Sequence, residues 1–290
     1  MAGAAHRPRT VIEPESPDPG SPSEIPAGAA PATGGGAGGA LSRRSEGRWL
    51  LVGSAALLLA WWAGSSGRLE YVFPGPAATG RALWEMALDP GFWSALGLSL
   101  SRALGGLLLA LSVGLAWGAS RGAWPRVRAF TQPLLQLMLS TPAIIFVILV
   151  MLWLGPTGAV VPVVVAIVTS PLIAEATAQA VRGIDRDLVE MGRVFGLPRR
   201  RIAWRIITPM VVPPIVAATT VALGQSIRVT VMAELLATAS GIGGALRLAQ
   251  INIETPDVFA YAIVMTSLTY VLERVLVAPI RRRMTPPASS

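Results

Sequence analysis

Apolar residues run along this chain in six stretches, at about 49–65, 97–119, 129–154, 159–181, 211–238 and 257–280. Each approaches the roughly 20 residues that a helix needs to cross a bilayer, the first being somewhat short. The pattern predicts an all-α polytopic membrane protein with about six transmembrane helices. Residues 1–47 show no apolar periodicity and are rich in Pro, Gly, Ala and Ser, which predicts a disordered tail without the apolar region of a signal peptide. The membrane domain is expected over 48–283, followed by a short tail at 284–290. Between the first two runs, Phe73-Pro74-Gly75-Pro76 reads as a turn and 77–88 as an interfacial helix. Gly155-Pro156-Thr157-Gly158 reads as a tight external turn, and 239–256, with Ser240-Gly241-Ile242-Gly243, as an external loop. Pro142 falls inside the third run, where it should kink or break the helix.

One long polar interruption, at 183–209, separates the fourth and fifth runs. Asp185 and Asp187 are both candidate helix N-caps, and Asp187 with Glu190 has capping-box spacing. Leu188, Met191 and Phe195 share a helical face, Gly196 suits a left-handed C-terminal position, and Pro198 prevents simple continuation. A second short helix is predicted over 199–207, basic on one side and apolar on the other, with Pro209 as its end. By spacing alone this is equally an ordinary basic loop.

Composition narrows the class. Hydrophobic residues make up 52% and charged residues 14%, against about 25% charged in a soluble domain. There is no cysteine, and the single histidine is His6, so no thiolate or histidine metal cluster can form within one chain. No lysine occurs, so the chain cannot supply the lysine of a phosphate-binding P-loop. With no paired carboxylate motif either, no catalytic residues are assigned and an enzyme is not expected. The net charge of +8 does not require nucleic acid as a partner, because the arginines cluster beside apolar runs. Six spans with both ends inside place 18 of the 24 arginines in the cytoplasm and four at or near the outside; Arg228 and Arg274 lie within spans. That asymmetry puts the 183–209 loop and both termini in the cytoplasm.

The loop resembles the EAA loop of ABC-importer permeases, in which Glu-Ala-Ala, three residues, Gly, nine residues, Ile, one residue and Leu-Pro follow in order. Glu190, Gly196, Ile206 and Pro209 match in register, while Met191 and Gly192 replace the alanines and Thr208 the leucine. The segments VFPGPAATGRALWEM, LSLSRALGGLLLAL and AELLATASGIGGAL are similar to the nitrate/sulfonate/taurine branch of that family. The resemblance implies a permease homodimer in the cell membrane and an extracytoplasmic substrate-binding protein. It also implies two copies of a cytoplasmic ATPase that carries the ATP and Mg, so that this chain needs no cofactor. Asp187, Glu190, Met191, Gly196, Ile206 and Pro209 would then form the ATPase-coupling element. The implied cargo is a small anion such as a sulfonate, nitrate or taurine. Related permeases carry pyrimidine-type vitamin precursors, and in this family the binding protein fixes most of the specificity. A secondary transporter or channel is the alternative, which inverted repeats would favour, and none is evident.

Charge inside a span is expensive to keep, so four polar residues stand out: Glu175, Gln225, Arg228 and Glu234. Gln225 and Arg228, at i and i+3, share a face. Gln225, Arg228 and Glu234 are candidates for lining the substrate pathway, the competing expectation being pairing between helices, for example of Arg228 with a carboxylate. Glu175, toward the cytoplasmic end, is expected to be structural.

Overall fold

A computed structural model describes residues 38–67, 69–272 and 274–275, and among these the secondary structure is entirely helical. Residues 1–37 of the expected tail, the end of the sixth expected span, the arginines at 281–283 and the tail at 284–290 lie outside the described residues. The chain divides into two units, Met1–Gly53 and Ser54–Ser290. The described part of the first is the beginning of α1 (Gly38–Ser65), which starts upstream of the expected span; all the other helices belong to the second.

These are α2 (Pro76–Leu88), α3 (Pro90–Ala123), α4 (Pro125–Ser140), α5 (Ala143–Leu154), α6 (Val160–Arg182), α7 (Arg186–Val194) and α8 (Arg199–Ile202), then a π turn (Ala203–Ile207), α9 (Thr208–Ala237), α10 (Gly241–Ile251) and α11 (Thr255–Leu272). Four continuous helices are long and apolar enough to cross a membrane: α3, α6, the run Arg199–Ala237 and α11. The bent pair α4 and α5 is long and apolar enough for a fifth span if the two count as one, and Val52–Ser65 is a shorter apolar helix. Over the described residues each of the six expected runs is therefore largely helical.

As expected, Pro142 breaks the third run: α4 and α5 meet at 100° across Thr141 and Pro142. Proline lacks an N–H and pushes the preceding residue out of the helical region, so the chain turns there. The 239–256 segment is not simply a loop, since it contains α10. And Pro209 ends no helix. Helical structure runs through it, because the π turn just before gives up the i→i−4 register that a proline ring would obstruct. Both the N–H and the hydroxyl of Thr208 reach the Ala203 carbonyl and close the widened turn.

The centre of the fold is α6 on α3. Gly106, Gly114, Gly118 and Gly122 of α3 face Val165, Ile173, Thr177 and Val181 of α6 in constant register, with fully buried Ala110 in the same row. A Cβ added at any of the four glycines would fall 2.9 Å or less from α6 atoms. Rows of small residues at four-residue spacing let two backbones approach closely, which is how helices associate where lipid removes the hydrophobic driving force. Around α6 a valine cluster joins Val147 and Val150 of α5 to Val229, Ala233 and Ala237 of α9. On the other side, Trp61 hydrogen-bonds the Pro74 carbonyl through Nε1 (3.0 Å) and stacks on Phe259, so that the Phe73–Pro76 turn is fastened to α11.

Candidate coupling loop and intramembrane charges

Local sequence fixes α7 at both ends. Asp185 is its N-cap: Oδ1 accepts from the N–H groups of Asp187 (2.9 Å) and Leu188 (3.3 Å). Asp187, expected as an alternative cap, lies instead in the first turn, where its charge complements the helix dipole. At the other end Gly196 has φ +69°, and the N–H groups of Leu197 and Gly196 bond to the carbonyls of Gly192 (3.0 Å) and Arg193 (2.9 Å). This paired closure with a left-handed residue is the Schellman motif, and a β-branched side chain tolerates that conformation poorly.

Gly192 is buried with its Cα against Ile206, where an added Cβ would stand 3.0 Å from Ile206 Cδ1. The small residue at this position is thus what lets α7 rest on the turn ahead of α9, bringing two parts of the sequence pattern together. Turned away from that contact, Leu188, Met191, Val194 and Phe195 are exposed, the last two by 80% and 77%. Val194 was not among the residues singled out by spacing. Glu190 is also exposed and lines, with Arg182, Arg186 and Arg193, a cavity of about 680 Å³ between α7 and the C-terminal ends of α3 and α6. Pro209 is exposed at the start of α9.

Deeper in the bundle, Glu234 is fully buried. Its Oε1 accepts from Arg102 Nη1 (2.7 Å), and its Oε2 from Ser99 Oγ (2.6 Å) and from the Gly243 N–H (3.0 Å). Ser99 Oγ also accepts from the Ile242 N–H at 2.8 Å. Glu234 and Ser99 therefore serve as caps, from other helices, for the unpaired N–H groups that open α10. Gly241 and Gly243 are explained by this approach: Gly241 has φ +83°, and a Cβ at either would collide with Glu234. Arg102 further binds the Ser240 hydroxyl (2.9 Å) and carbonyl (3.2 Å). One ion pair thus ties α3, α9 and α10 together.

A second ion pair lies toward the C-terminal ends of α3 and α6. The Arg121 side chain is fully buried, donating to Gln132 Oε1 (2.8 Å), Glu175 Oε2 (3.1 Å) and the Thr131 hydroxyl, with Trp117 facing its guanidinium. Glu175 also accepts from Gln179 (3.1 Å) and pairs with Arg182 at 3.6 Å. Arg102, Ser99 and Arg121 were not singled out from sequence; matching each intramembrane carboxylate to an arginine in a neighbouring run would have found two of them.

Arg228 differs. It is exposed on α9 and makes no ion pair among the described residues, so the expected carboxylate partner is not found there. It lines a cavity of about 490 Å³ between α9 and α11. Gln225, one turn before it, is half-buried.

The family model for the inner membrane component of binding-protein-dependent transport systems matches residues 106–285, a stretch that contains the Arg121–Glu175 pair, Glu234, the α7 loop and α9. The chain belongs to this family. The permease is 28% identical over 262 residues to the taurine transport system permease protein TauC of Escherichia coli, covering 84% of this chain and 94% of that one. It is 28% identical over 193 residues to the putative aliphatic sulfonates transport permease protein SsuC of Bacillus subtilis, covering 67% and 70%. Among solved structures it resembles the inward-facing MetNI methionine ABC transporter with a TM-score of 0.52 and 21% identity, over 68% of this chain and 95% of that one. That likeness shows the fold. The chain is therefore the permease subunit of an ABC importer, built for membrane transport.

Proposed function

We propose that this permease carries a small anion of the sulfonate class into the cytoplasm by alternating access, driven by a separate ATPase that docks on α7. The single observation that carries the coupling role is the exposed row Leu188, Met191, Val194 and Phe195 on a helix rigidly closed at Gly196 and packed through Gly192 on Ile206. Apolar side chains so exposed, on a short helix with a fixed stop, need a partner that covers them. A helix held this way passes a rigid-body push into α9 instead of absorbing it.

Glu190, Asp187, Met191 and Pro209 belong to the same element. ATP and Mg reside on the ATPase, since this chain has no P-loop lysine. Two permease chains, two ATPase copies and an extracytoplasmic binding protein complete the assembly, with both termini in the cytoplasm as the arginine distribution implies. The substrate class rests on the taurine and aliphatic sulfonate permeases among its relatives and on an arginine within a span.

Uptake of a labelled alkanesulfonate by cells carrying the permease, its ATPase and its binding protein tests this reading. Uptake should stop when the ATPase is inactivated in its own P-loop, and should be unaffected by collapsing the ion gradients while ATP is maintained. Uptake that survives without ATP and follows an ion gradient would make the chain a secondary transporter.

A further inference from the structure

The α7 helix has a second face. At about 3.6 residues per turn, Arg186, Val189, Glu190 and Arg193 fall together on one side of it, and Leu188, Met191 and Phe195 on the opposite side. The structure uses the two sides differently. Leu188, Met191 and Phe195 are exposed. The other four all line the cavity of about 680 Å³. A partner lying along the apolar row therefore leaves this cavity uncovered, and what fills it approaches from the other direction.

That direction is the helix bundle. Gly122 and Pro125, where α3 gives way to α4, form one wall, and Val181, at the end of α6, forms another. Both α3 and α6 are long and apolar enough to cross a membrane, so the cavity stands at the ends of spans, where lipid headgroups lie. Ile184 and Ile207 extend the apolar part of the lining, and set into it are three guanidiniums and one carboxylate. Arg182 is partly committed, reaching Glu175 at 3.6 Å. Arg186 and Arg193 lie one turn before and one turn after Glu190, whose single charge offsets only one of them. The planar donor fork of arginine suits phosphate oxygens, and basic pockets between span ends are a known form of headgroup site.

We infer that this cavity holds the phosphate headgroup of an anionic phospholipid, with Arg186 and Arg193 as its principal donors and the apolar lining against the glycerol and upper acyl carbons. The lipid would then be a spacer between the coupling helix and the ends of α3 and α6. The importer reading enters only in assigning the apolar row of α7 to the ATPase. A space of about 680 Å³ is within the range of small-molecule sites.

The test uses the full-length permease with its ATPase in phosphatidylcholine nanodiscs. These contain a minor fraction of phosphatidylglycerol that carries a diazirine on its first acyl carbons. Photolabelled peptides are mapped by mass spectrometry, without transport or ATP, so the result stands apart from the importer reading. Labelling is expected within 122–125 and 181–193. The double variant Arg186→Gln, Arg193→Gln is expected to lower it about 10-fold. Arg186→Lys with Arg193→Lys should keep most of it, which shows that the altered loop still folds. Arg200→Gln with Arg201→Gln, an equal loss of charge on α8 outside the lining, should leave it unchanged. Equal labelling by the same probe built on phosphatidylcholine overturns recognition of an anion. Equal loss in the α8 variant reduces the effect to general surface charge and overturns the site. Displacement of the label by millimolar inorganic phosphate makes it a free-anion site, and labelling of the permease alone that vanishes when the ATPase is added gives the cavity to the ATPase; each overturns the lipid. So does labelling that is weak in the unaltered chain and rises when Glu13, Glu15, Asp18 and Glu24 are neutralised, which gives the cavity to the chain's own acidic segment outside the described residues.

Discussion

Glu234 on α9 and Arg102 on α3, 132 positions apart in sequence, meet at 2.7 Å with the carboxylate fully buried. Truncating one partner leaves the other charged and desolvated. Glu234→Ala or Arg102→Ala is expected to cost about 3–5 kcal/mol, and a double replacement by apolar residues of similar volume to recover much of it. Thermal unfolding of the three purified variants in one detergent checks this. Additive losses in the double variant would show that the two side chains act independently.

The glycine row of α3 gives a second contrast. Gly118→Leu should separate α3 from α6 and destabilise the fold strongly, because even a Cβ would lie 2.5 Å from the Ala174 carbonyl. Gly105, one residue from the row, has nothing within 4 Å of an added Cβ. Gly105→Ala should be neutral or stabilising by up to about 1 kcal/mol through helix propensity. Melting temperatures of both variants measure the difference, and similar destabilisation by the two would argue against close α3–α6 packing.

At the coupling loop the two aspartates should separate cleanly. Asp185→Ala removes a cap worth about 1 kcal/mol to α7, whereas Asp187→Ala leaves the cap in place. Hydrogen exchange of the α7 amides is expected to quicken in the first variant much more than in the second. The reverse order would make Asp187 the cap after all.

Gly196→Val forces a β-branched residue into φ +69°, which disfavours the closed end of α7 by about 1–2 kcal/mol. Membrane insertion and the melting of the bundle should be little affected, since no span is touched. Substrate-driven transport should fall sharply while Gly196→Asn, which tolerates the left-handed region, retains most of it. Equal transport by both variants would separate α7 closure from coupling.

Much of this was legible in the sequence because a bilayer imposes a simple rule: long apolar runs become helices. Gly196 was legible for a similar reason, since a glycine between a helical pattern and Pro198 has few other uses. What was not legible depends on tertiary partners. Pro209 looks the same whether it stops a helix or sits in the first turn of α9, and only the π turn before it decides. The 241–251 helix is hidden because its glycines weaken helix propensity, and its first N–H groups are satisfied by Ser99 and Glu234 from far along the chain. For the same reason the pairing of Glu234 with Arg102, 132 positions away, was not legible.

The most direct test of the coupling role uses the absence of cysteine. Phe195→Cys introduces a single thiol, at an exposed position of α7. In membranes containing the ATPase, a short thiol-directed photo-cross-linker attached there should join this chain to the ATPase polypeptide. In intact cells the same thiol should be shielded from membrane-impermeant reagents added outside. A cross-link to the ATPase, with no labelling from outside, is the predicted result. Labelling from outside, or a thiol that never reaches the ATPase while ATP-driven transport proceeds, would contradict it.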